Sequence, residues 1–437
     1  MTTEAMKLTD ATSADEAAEA FRSDVLKRHR KHVNKGMARV SDLMGTHIEV
    51  RSAGNYVFDE RGEQYLDCGG YAVFTLGHCH PALVKAVTEQ LGRLPLSTRS
   101  LVNPEVAAAA EALSATAPAG MDYVYFGSSG TEATEAAIKL SCLNGKTSLI
   151  STHGGYHGKT LGALSVTGRT SFRDPFAPLL APAQFVPFGD ATAMEEALSQ
   201  TGSKACVIIE PVQAEGGVII PPDGYLREVE RLCRHHGAFL ILDEIQTGLG
   251  RLGTWWGMDR EGVVPDLLLV GKALSGGVVP VSAMVASNAA FEKLNQSPIL
   301  HTSTFSGNPL AAVAARVAIE TLKDENVVPR ARALGEALLA PFGFLAARYP
   351  RLIREVRGRG ILIGIDFHAE FLAGDFMIEM LKKHVVVSYS LNAHRVVRLT
   401  PSALLSETDV KWLIAAAEES IAILNERYVS FVPEEEV

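Results

Sequence analysis

Two short apolar runs of the sequence end in residues that could do chemistry together. The run from 238 to 242 ends in Asp243 and Glu244, and the run from 267 to 270 is soon followed by Lys272. Continuous apolar runs of this length are typical of strands buried in the middle of a parallel sheet. Open α/β sheets bind their ligands at the carboxyl ends of such strands. The sequence therefore predicts that the acid and the lysine face the same ligand.

A lysine and a carboxylate in this setting favour a ligand with a pyridine ring. Burial lowers the pKa of an amine, which frees Lys272 to form a Schiff base. A buried Asp243 needs a partner, and a protonated pyridine nitrogen would supply one while the ring acts as an electron sink. Gln246, one turn further on, suits a hydrogen bond to a ring oxygen. Alternatively, Asp243 and Glu244 cap the next segment or join an ion network, and Lys272 is a buried lysine paired to an acid.

A motif rich in glycine and hydroxyl groups follows the predicted strand Tyr123–Phe126 and opens a predicted helix. Small residues let backbone N–H groups close on an anion, hydroxyls add donors, and the helix N-terminus adds partial positive charge. A phosphate cradle at Ser129, Gly130 and Thr131 is one interpretation. An ordinary helix cap by Ser129 or Thr131 explains the same residues equally well.

The stretch from 153 to 160 reads His-Gly-Gly-Tyr-His-Gly-Lys-Thr and almost matches a P-loop. The first glycine of that motif is His153 here, and this glycine supports the turn of the loop. A nucleotide hydrolase, which would bind ATP and show no visible absorption, is therefore a disfavoured alternative. An aromatic side chain at the tip of the loop, Tyr156, could instead stack on a flat ligand.

Two further segments belong to the same set of motifs. The hydroxyl-rich loop 301–309, which contains Thr304, could give one more phosphate donor or cap the helix after it. Arg398 follows a strand-like run, where its guanidinium fork could grip a carboxylate in two places. Glu215 lies in the stretch Gln213–Gly217. No single motif decides the function, but their order along the chain favours one shared ligand site.

The elements that must position these residues form an α/β pattern between about 104 and 323. Helical stretches alternate there with short aliphatic runs, which predicts a largely parallel, twisted sheet covered on both sides. The stretch 309–322 is apolar on every face, so we expect it to be buried in the domain or at a subunit contact. The predicted strands are Tyr123–Phe126, Ser148–Ser151, Ala205–Ile209, Phe239–Leu242, Leu267–Val270 and Val281–Ala286.

The sequence divides into three parts. Residues 1–75 form an N-terminal segment with a helix at 14–33 and short strands at 48–67, which we expect to pack with the C-terminal part. Residues 76–323 form the large domain, and residues 324–437 form a smaller α+β domain. Its predicted strands are Ile353–Val356, Ile361–Phe367, Val385–Ser388 and Val396–Leu399.

Composition excludes several classes of partner. The chain has 437 residues and a formal net charge of −9, so we expect no nucleic-acid partner. No apolar run reaches the roughly 18 residues that span a bilayer, so we expect no membrane partner. Five cysteines without CxxC spacing predict a cytoplasmic protein. The tight triplet His78-Cys79-His80 has no companion ligand pair, so we expect no metal site.

With these motifs in this order, the chain resembles the class III pyridoxal-phosphate aminotransferases of the ornithine, acetylornithine and putrescine type. The likeness runs from about Gly45 to about Ile421. It implies fold type I, like that of aspartate aminotransferase: an α/β large domain with a mostly parallel seven-stranded sheet, and a smaller α+β domain. It also implies pyridoxal 5′-phosphate as cofactor, and ping-pong transfer of an amino group between a small-molecule amine and a 2-oxo acid such as 2-oxoglutarate.

The resemblance also implies roles for single residues. The cofactor-binding residues would be Ser129, Gly130, Thr131, Tyr156, His157, Asp243, Gln246, Lys272 and Thr304. Among these, Lys272, Asp243 and Tyr156 would be catalytic. Thr304 matches a threonine that reaches the phosphate of the neighbouring subunit, which implies a homodimer with shared active sites, or a dimer of dimers.

The substrate residues that the resemblance implies are Arg398, Glu215 and Tyr71. The arginine would grip the 2-oxo acid, and the glutamate would mask the arginine when an ω-amine enters. Departures from the family pattern, such as Ala214 for glycine and Ser402 for proline, lie near this pocket and leave the amine open. A diamine, an ω-amino acid and a ketone on a larger intermediate all fit. Another reaction of the same cofactor, by an aminomutase, racemase or decarboxylase, is the alternative.

Overall fold

A computed structural model describes residues 3–45, 47–98, 100–180 and 183–428. In these ranges the helices are α1 Thr3–His32, α2 Lys35–Met44, α3 Pro81–Arg93, α4 Pro104–Ser114, α5 Gly130–Leu143, α6 Leu161–Ser165, α7 Thr170–Arg173, α8 Ala191–Thr201, α9 Tyr225–His236, α10 Asn288–Gln296, α11 Pro309–Asp324, α12 Val327–Arg348, α13 Glu370–Lys382 and α14 Glu407–Tyr428. The strands are β1 Glu49–Ala53, β2 Tyr56–Asp59, β3 Gln64–Asp67, β4 Tyr123–Gly127, β5 Ser148–Thr152, β6 Gln184–Val186, β7 Ala205–Ile209, β8 Phe239–Asp243, β9 Leu267–Val270, β10 Ser282–Ala286, β11 Ile353–Arg359, β12 Leu362–Phe367, β13 Val385–Val386, β14 Ser388–Ser390 and β15 Ala393–Leu399.

The central sheet has seven strands in the order β4-β10-β9-β8-β7-β5-β6. Neighbours from β6 to β9 are parallel, whereas β10 is antiparallel to both β9 and β4. The connection 271–281 between β9 and β10 is too short for the crossover of about a dozen residues that a parallel pair needs. The predicted, mostly parallel sheet is thus confirmed. The sequence missed β6, an edge strand of only three residues.

The central strands are buried on both faces because apolar residues occupy every position. Leu240 and Leu242 of β8 belong to one hydrophobic core, and Ile241 between them belongs to the core on the opposite face. This alternation is what a pleated strand requires. Helix α11 packs against α3 and α4 on the first face, and α5 packs against β9 and β10 on the second. Helices therefore cover both faces of the sheet, which leaves the ends of its strands for ligands.

A separate hydrophobic core joins the two ends of the chain. Strands β11, β12, β15 and β14 form an antiparallel sheet, and β1, β2, β3 and β13 form another. Strand β3 pairs in parallel with β13, and Leu66 packs in the same core as Phe342 and Phe376. The single strand predicted at Val385–Ser388 is wrong, because β13 and β14 lie in different sheets and Val387 connects them.

Among the described helices, none is both long enough and apolar enough to cross a bilayer.

Candidate active site

Asp243 and Lys272 lie at the same edge of the central sheet. Asp243 is the last residue of β8 and Lys272 comes two positions after the parallel neighbour β9. Both line a cavity of about 340 Å³, which we call the lysine cavity. Its other lining residues are Gly130, Thr131, Tyr156, His157, Gly158, Lys159, Glu210, Ile245 and Gln246. The structure thus brings together most of the residues that the sequence predicts at one ligand site.

The backbone and the amine of Lys272 are both held in unusual states. Its φ of 44° is left-handed, a conformation that costs about 1–3 kcal/mol outside glycine and is concentrated at functional sites. The amine donates a hydrogen bond to Gln246 Oε1. Burial lowers the pKa of Lys272 to about 8, although the nearby carboxylate of Glu215 acts in the opposite direction. A larger share of this amine is therefore uncharged near neutral pH than at the ordinary pKa of a lysine.

Asp243 has a partner within the protein. His157 Nδ1 lies 2.8 Å from Asp243 Oδ2, and the other carboxylate oxygen accepts a hydrogen bond from Ile245 N at 3.1 Å. Both side chains are buried. The sequence placed His157 at the cofactor but did not predict this bond. It fixes the plane of the carboxylate and leaves lone pairs on both oxygens for a ligand.

Glu244 has a different structural role from Asp243. Its carboxylate accepts hydrogen bonds from the Thr247 hydroxyl, from Gly257 N at 2.9 Å and from Met258 N at 2.8 Å. Burial raises the pKa of Glu244 to about 7. The capping interpretation, which the sequence left open for both acids, therefore describes Glu244, while Asp243 faces the cavity.

The N-terminus of α5 faces the lysine cavity. Ser129 is in the N-cap position, but its hydroxyl makes no capping hydrogen bond. Thr131 Oγ1 lies 2.6 Å from Thr160 Oγ1. A Cβ atom at Gly130 would come within 3.0 Å of Ile245 Cδ1, so the close packing favours glycine. Of the two interpretations of this motif, the anion cradle is the one that leaves the Ser129 hydroxyl available.

Glu210 is a cavity residue that the sequence analysis missed. It follows β7, and its Oε1 accepts a hydrogen bond from Tyr156 N at 3.0 Å. Burial raises the pKa of Glu210 well above its usual value, and the Asp243 carboxylate adds to the effect. The available signal was the same as for Asp243, namely a carboxylate directly after a buried strand. Through this bond Glu210 holds the loop that carries the Tyr156 ring.

Arg398 and Glu215 form a buried ion pair beside a second cavity. Arg398 NH1 lies 2.6 Å from Glu215 Oε1, and Glu215 Oε2 accepts a hydrogen bond from Leu391 N at 2.9 Å. Both residues line a cavity of about 520 Å³, which we call the arginine cavity. Its other lining residues are Glu49, Val57, Asp67, Gly69, Gly70, Tyr71, Phe74, His78, Met377, Val386, Val387, Ser388, Tyr389 and Leu391.

Arg251 is a second buried arginine that the sequence did not predict. Its NH1 donates to Pro401 O at 2.7 Å, and its NH2 donates to Ala72 O at 3.0 Å and to Thr75 Oγ1 at 2.7 Å. These bonds join the segment after β15 to the turn that carries Tyr71. Burial lowers the pKa of Arg251 to about 9, and the nearby charge of Arg398 adds to the effect.

Two predicted residues lie away from the buried groups. Tyr71 lines the arginine cavity but is 74% exposed, in a left-handed turn with φ of 51°. Thr304 is exposed in the loop before α11 and lines neither cavity. The single chain therefore does not bring Thr304 to the other predicted cofactor residues. The His-Cys-His triplet has a structural use, since His78 Nε2 lies 2.8 Å from Asp67 Oδ2.

The lysine cavity fits a flat, anionic aldehyde. Gln246 Nε2 and His157 Nε2 are buried there, and neither has a hydrogen-bond partner in the described parts of the chain. Buried polar atoms without partners are rare, and an absent ligand is one explanation for them. An amine of lowered pKa, an aromatic side chain and a helix N-terminus complete the set. These groups match the aldehyde, the ring and the phosphate of pyridoxal 5′-phosphate.

Comparison with known proteins agrees with this geometry. Residues 37–421 match the model of the aminotransferase class-III family. The chain belongs to this family. Ornithine aminotransferase from Toxoplasma gondii ME49 is 29% identical with a TM-score of 0.86, and the match covers 93% of this chain and 96% of that one. An (S)-enantioselective ω-transaminase from Thermomicrobium roseum is 27% identical with a TM-score of 0.84, over 92% of this chain and 98% of that one.

The family confirms the predictions of fold type I, of enzyme class and of cofactor. Class III aminotransferases depend on pyridoxal phosphate, and another Toxoplasma gondii ornithine aminotransferase structure, 30% identical with a TM-score of 0.84 over 93% of this chain and 95% of that one, shows partial occupancy of this cofactor. This class III aminotransferase therefore transfers amino groups between amines and 2-oxo acids.

Proposed function

We propose that this class III aminotransferase holds its cofactor in the lysine cavity and chooses between an ω-amine and a 2-oxo acid in the arginine cavity. The single observation that carries the proposal is the buried ion pair of Arg398 and Glu215. The charges of both residues act on the pKa of the Lys272 amine. Because the arginine is neutralised by a carboxylate that can turn away, one site can accept a cationic and an anionic substrate in turn.

In this proposal, different residues of the lysine cavity bind different parts of the cofactor. Pyridoxal phosphate, when bound, supplies an electron sink for the carbon that loses its proton. The residues proposed to hold the phosphate are Ser129, Gly130 and Thr131, with Thr304 of a second copy. Tyr156 would cover the ring, Asp243 with His157 would bind its nitrogen, and the free Nε2 of Gln246 would donate to its oxygen.

Lys272 is the proposed carrier of the proton. An acid–base group works best when its pKa lies near the working pH, and the pKa of Lys272 is about 8. Gln246 Oε1 accepts a hydrogen bond from the amine and so keeps it directed into the cavity. Lys272 is therefore suited to take a proton from the substrate carbon and return it elsewhere on the same face.

Arg398 is the proposed anchor for the 2-oxo acid. Its Nε is buried and lacks a hydrogen-bond partner among the described residues, so a donor is free for a carboxylate. When a diamine or an ω-amino acid enters, Glu215 would stay on Arg398 and remove its repulsion for the cationic substrate. Similarity to proteins named ornithine aminotransferase and ω-transaminase supports this choice of amines.

The test is a screen of amine donors. The purified protein, loaded with pyridoxal phosphate, is mixed with putrescine, ornithine, β-alanine or a simple alkylamine, and loss of the visible band is followed. Addition of 2-oxoglutarate should restore the band if the cycle is complete. An enzyme that bleaches with alanine but with none of putrescine, β-alanine and the alkylamine would contradict the ω-amine assignment.

A homodimer with shared active sites is also proposed. Exposed apolar side chains surround the Thr304 loop and the segment after α3, which is typical of a surface that another chain covers. These side chains are Leu96, Leu101, Val102, Ile299, Leu300 and Phe305. Light scattering tests the dimer and separates it from a dimer of dimers. Activity regained by mixing a Thr304→Ala chain with a Lys272→Ala chain would support the shared site.

The division of the chain at about 75 and 323 is proposed as its domain organisation. Pairing of β3 with β13 supports the packing of the N-terminal segment on the C-terminal part. Separate hydrophobic cores on the two sides support the boundary near α12. Limited proteolysis tests the second boundary, since cuts should concentrate near the exposed residues 323 and 324. A cytoplasmic location is proposed on the grounds that all five cysteines are free thiols.

A further inference from the structure

We propose that Arg357, held by Asp366, is a positioning residue that fixes the backbone of the loop carrying Glu215. Glu215 would then open and close over Arg398 by rotation of its side chain alone. The inference rests on the proposed roles of Glu215 and Arg398. It adds a residue that would hold the loop backbone still while the Glu215 side chain moves.

The loop from Gln213 to Ile219 is a closed and strained turn. The two end residues exchange backbone hydrogen bonds of 3.0 Å in both directions. Inside the loop, Ala214 O accepts from Gly217 N at 3.3 Å and from Val218 N at 3.2 Å. Val218 has a φ of 56°, which a β-branched residue rarely adopts. Such a conformation persists only when its surroundings hold it.

Arg357 supplies much of that restraint. Its Nε and NH2 both donate to Gly217 O, at 3.0 Å and 2.7 Å, so one carbonyl is gripped by a two-pronged fork. Its NH1 lies 3.1 Å from Asp366 Oδ2, and the Asp366 side chain is only 3% exposed. A planar guanidinium held at both ends has little freedom. The position of Gly217 is therefore set by strands β11 and β12.

The same sheet also sets the position of Arg398. Strand β12 pairs with β15, and Gly364 of β12 lies opposite Arg398 in the register. Gly364 also packs against Val218 of the loop, since a Cβ there would come within 3.0 Å of Val218 Cβ. The loop and Arg398 thus both contact strand β12. This shared contact restricts the distance between the backbones of Glu215 and Arg398.

Contacts from the end of β14 and from the turn after it restrain the loop from the other side. Asn392 N donates to Glu215 O at 2.9 Å, and Ser390 Oγ donates to Ala214 O at 3.3 Å. Among the described residues, the Glu215 carboxylate itself has only the ion pair with Arg398 and the bond from Leu391 N. Rotation of the side chain breaks both of these, but it breaks no hydrogen bond made by the backbone of the loop. The adjoining arginine cavity has room for the displaced carboxylate.

Three variants test the positioning role of Arg357. They are Arg357→Ala, Arg357→Lys and, as the matched control, Arg354→Ala on the exposed face of the same strand. Each half-reaction is followed separately in single turnovers. We expect Arg357→Ala to raise the KM for the amine about tenfold, as for loss of one charge-assisted hydrogen bond, because Glu215 no longer neutralises Arg398. The KM for 2-oxoglutarate should stay unchanged or fall. Arg357→Lys should recover most of the change, and Arg354→Ala should behave as wild type.

Hydrogen exchange gives a readout that is independent of activity. In the protein without added cofactor, the amides of Gly217, Val218 and Ile219 should exchange faster in Arg357→Ala than in Arg354→Ala. An equal rise of both KM values, or unchanged exchange in the loop, would overturn the proposal. If no amine reacts with the wild-type enzyme, the proposed function fails, while the exchange result still decides whether Arg357 holds the loop.

Discussion

The lysine cavity and the arginine cavity are built in different ways. The lysine cavity takes its reacting groups from the ends of neighbouring strands β7, β8 and β9 and from the start of α5. The arginine cavity combines segments from the N-terminal part, the Glu215 loop, α13 and the small sheet. Its residues are far apart in the chain. In the proposed function, reaction chemistry thus rests on the central sheet, whereas substrate choice rests on loops where separate parts of the chain meet.

The electrostatics of the two cavities differ in the same sense. In the lysine cavity burial lowers the pKa of Lys272 and raises that of Glu210, so both groups move towards their uncharged forms. In the arginine cavity Arg398 NH1 and Glu215 Oε1 form an ion pair at 2.6 Å. One environment favours proton movement, and the other favours exchange of one ionic partner for another. Changes in the first should therefore affect kcat, and changes in the second should affect KM.

Lys272→Ala should have the largest effect. Removing the amine takes away both the attachment point and the proton carrier, so we expect kcat to fall by at least about 10⁴-fold, within the range seen for lost nucleophiles. Borohydride treatment of the loaded wild type should label the peptide containing residue 272, and the variant should give no label. Lys293→Ala, on the exposed face of α10, is the control. Turnover of the Lys272 variant at the wild-type rate would show that the lysine cavity does not carry the reaction chemistry.

Substitutions of the adjacent acids Asp243 and Glu244 should give the next largest effects, and the two effects should differ in kind. Asp243→Asn should lower kcat by about 10²- to 10³-fold, the usual cost of one preorganised electrostatic partner. Glu244→Gln should leave kcat nearly intact but lower the free energy of unfolding by about 1–3 kcal/mol, because buried N–H groups lose an acceptor. Steady-state rates and thermal unfolding of both variants are the measurements. Equal losses of kcat would show that the two acids do not differ in role.

Arg398→Lys is expected to act on one half of the cycle. A lysine keeps the charge but cannot form a two-pronged contact with a carboxylate. We expect the KM for 2-oxoglutarate to rise about 10- to 100-fold, and the KM for the amine to change less. Single-turnover titrations of each half-reaction separate the two. A parallel loss of kcat in both halves would place Arg398 in the reaction chemistry instead.

The smallest expected effect is on pH dependence. The Lys272 amine is protonated and unreactive below its pKa, so the rate of loading with pyridoxal phosphate should rise with pH through a midpoint of about 8. Glu215 stabilises the protonated amine, so Glu215→Gln should move the midpoint to lower pH. Stopped-flow absorbance across the pH range measures both. A shift to higher pH would mean that the two cavities are not electrostatically connected in this way.

Sequence reasoning placed Asp243, Gln246 and Lys272 at one cavity because their signals are local. Asp243 and Lys272 each follow an apolar run, and Gln246 lies at a fixed distance from the acid. The bond from His157 to Asp243 and the contact of Arg357 with Gly217 join positions far apart in the chain, so no local pattern predicts them. Arg251 was missed for the same reason. Thr304 remains a prediction, since its partners would belong to another copy of the chain.

Arg251 has a consequence for the kind of acceptor that the enzyme favours. Its described hydrogen bonds go to neutral oxygens, and with a pKa of about 9 it stays positively charged at neutral pH. Glu215 cancels one guanidinium charge, and Arg251 adds a second positive charge near the anchor, which the carboxylate of Asp67 opposes in part. Such a field attracts dianions more than monoanions. Dicarboxylic oxo acids should thus outcompete pyruvate, and an excess of them should slow the entry of cationic donors.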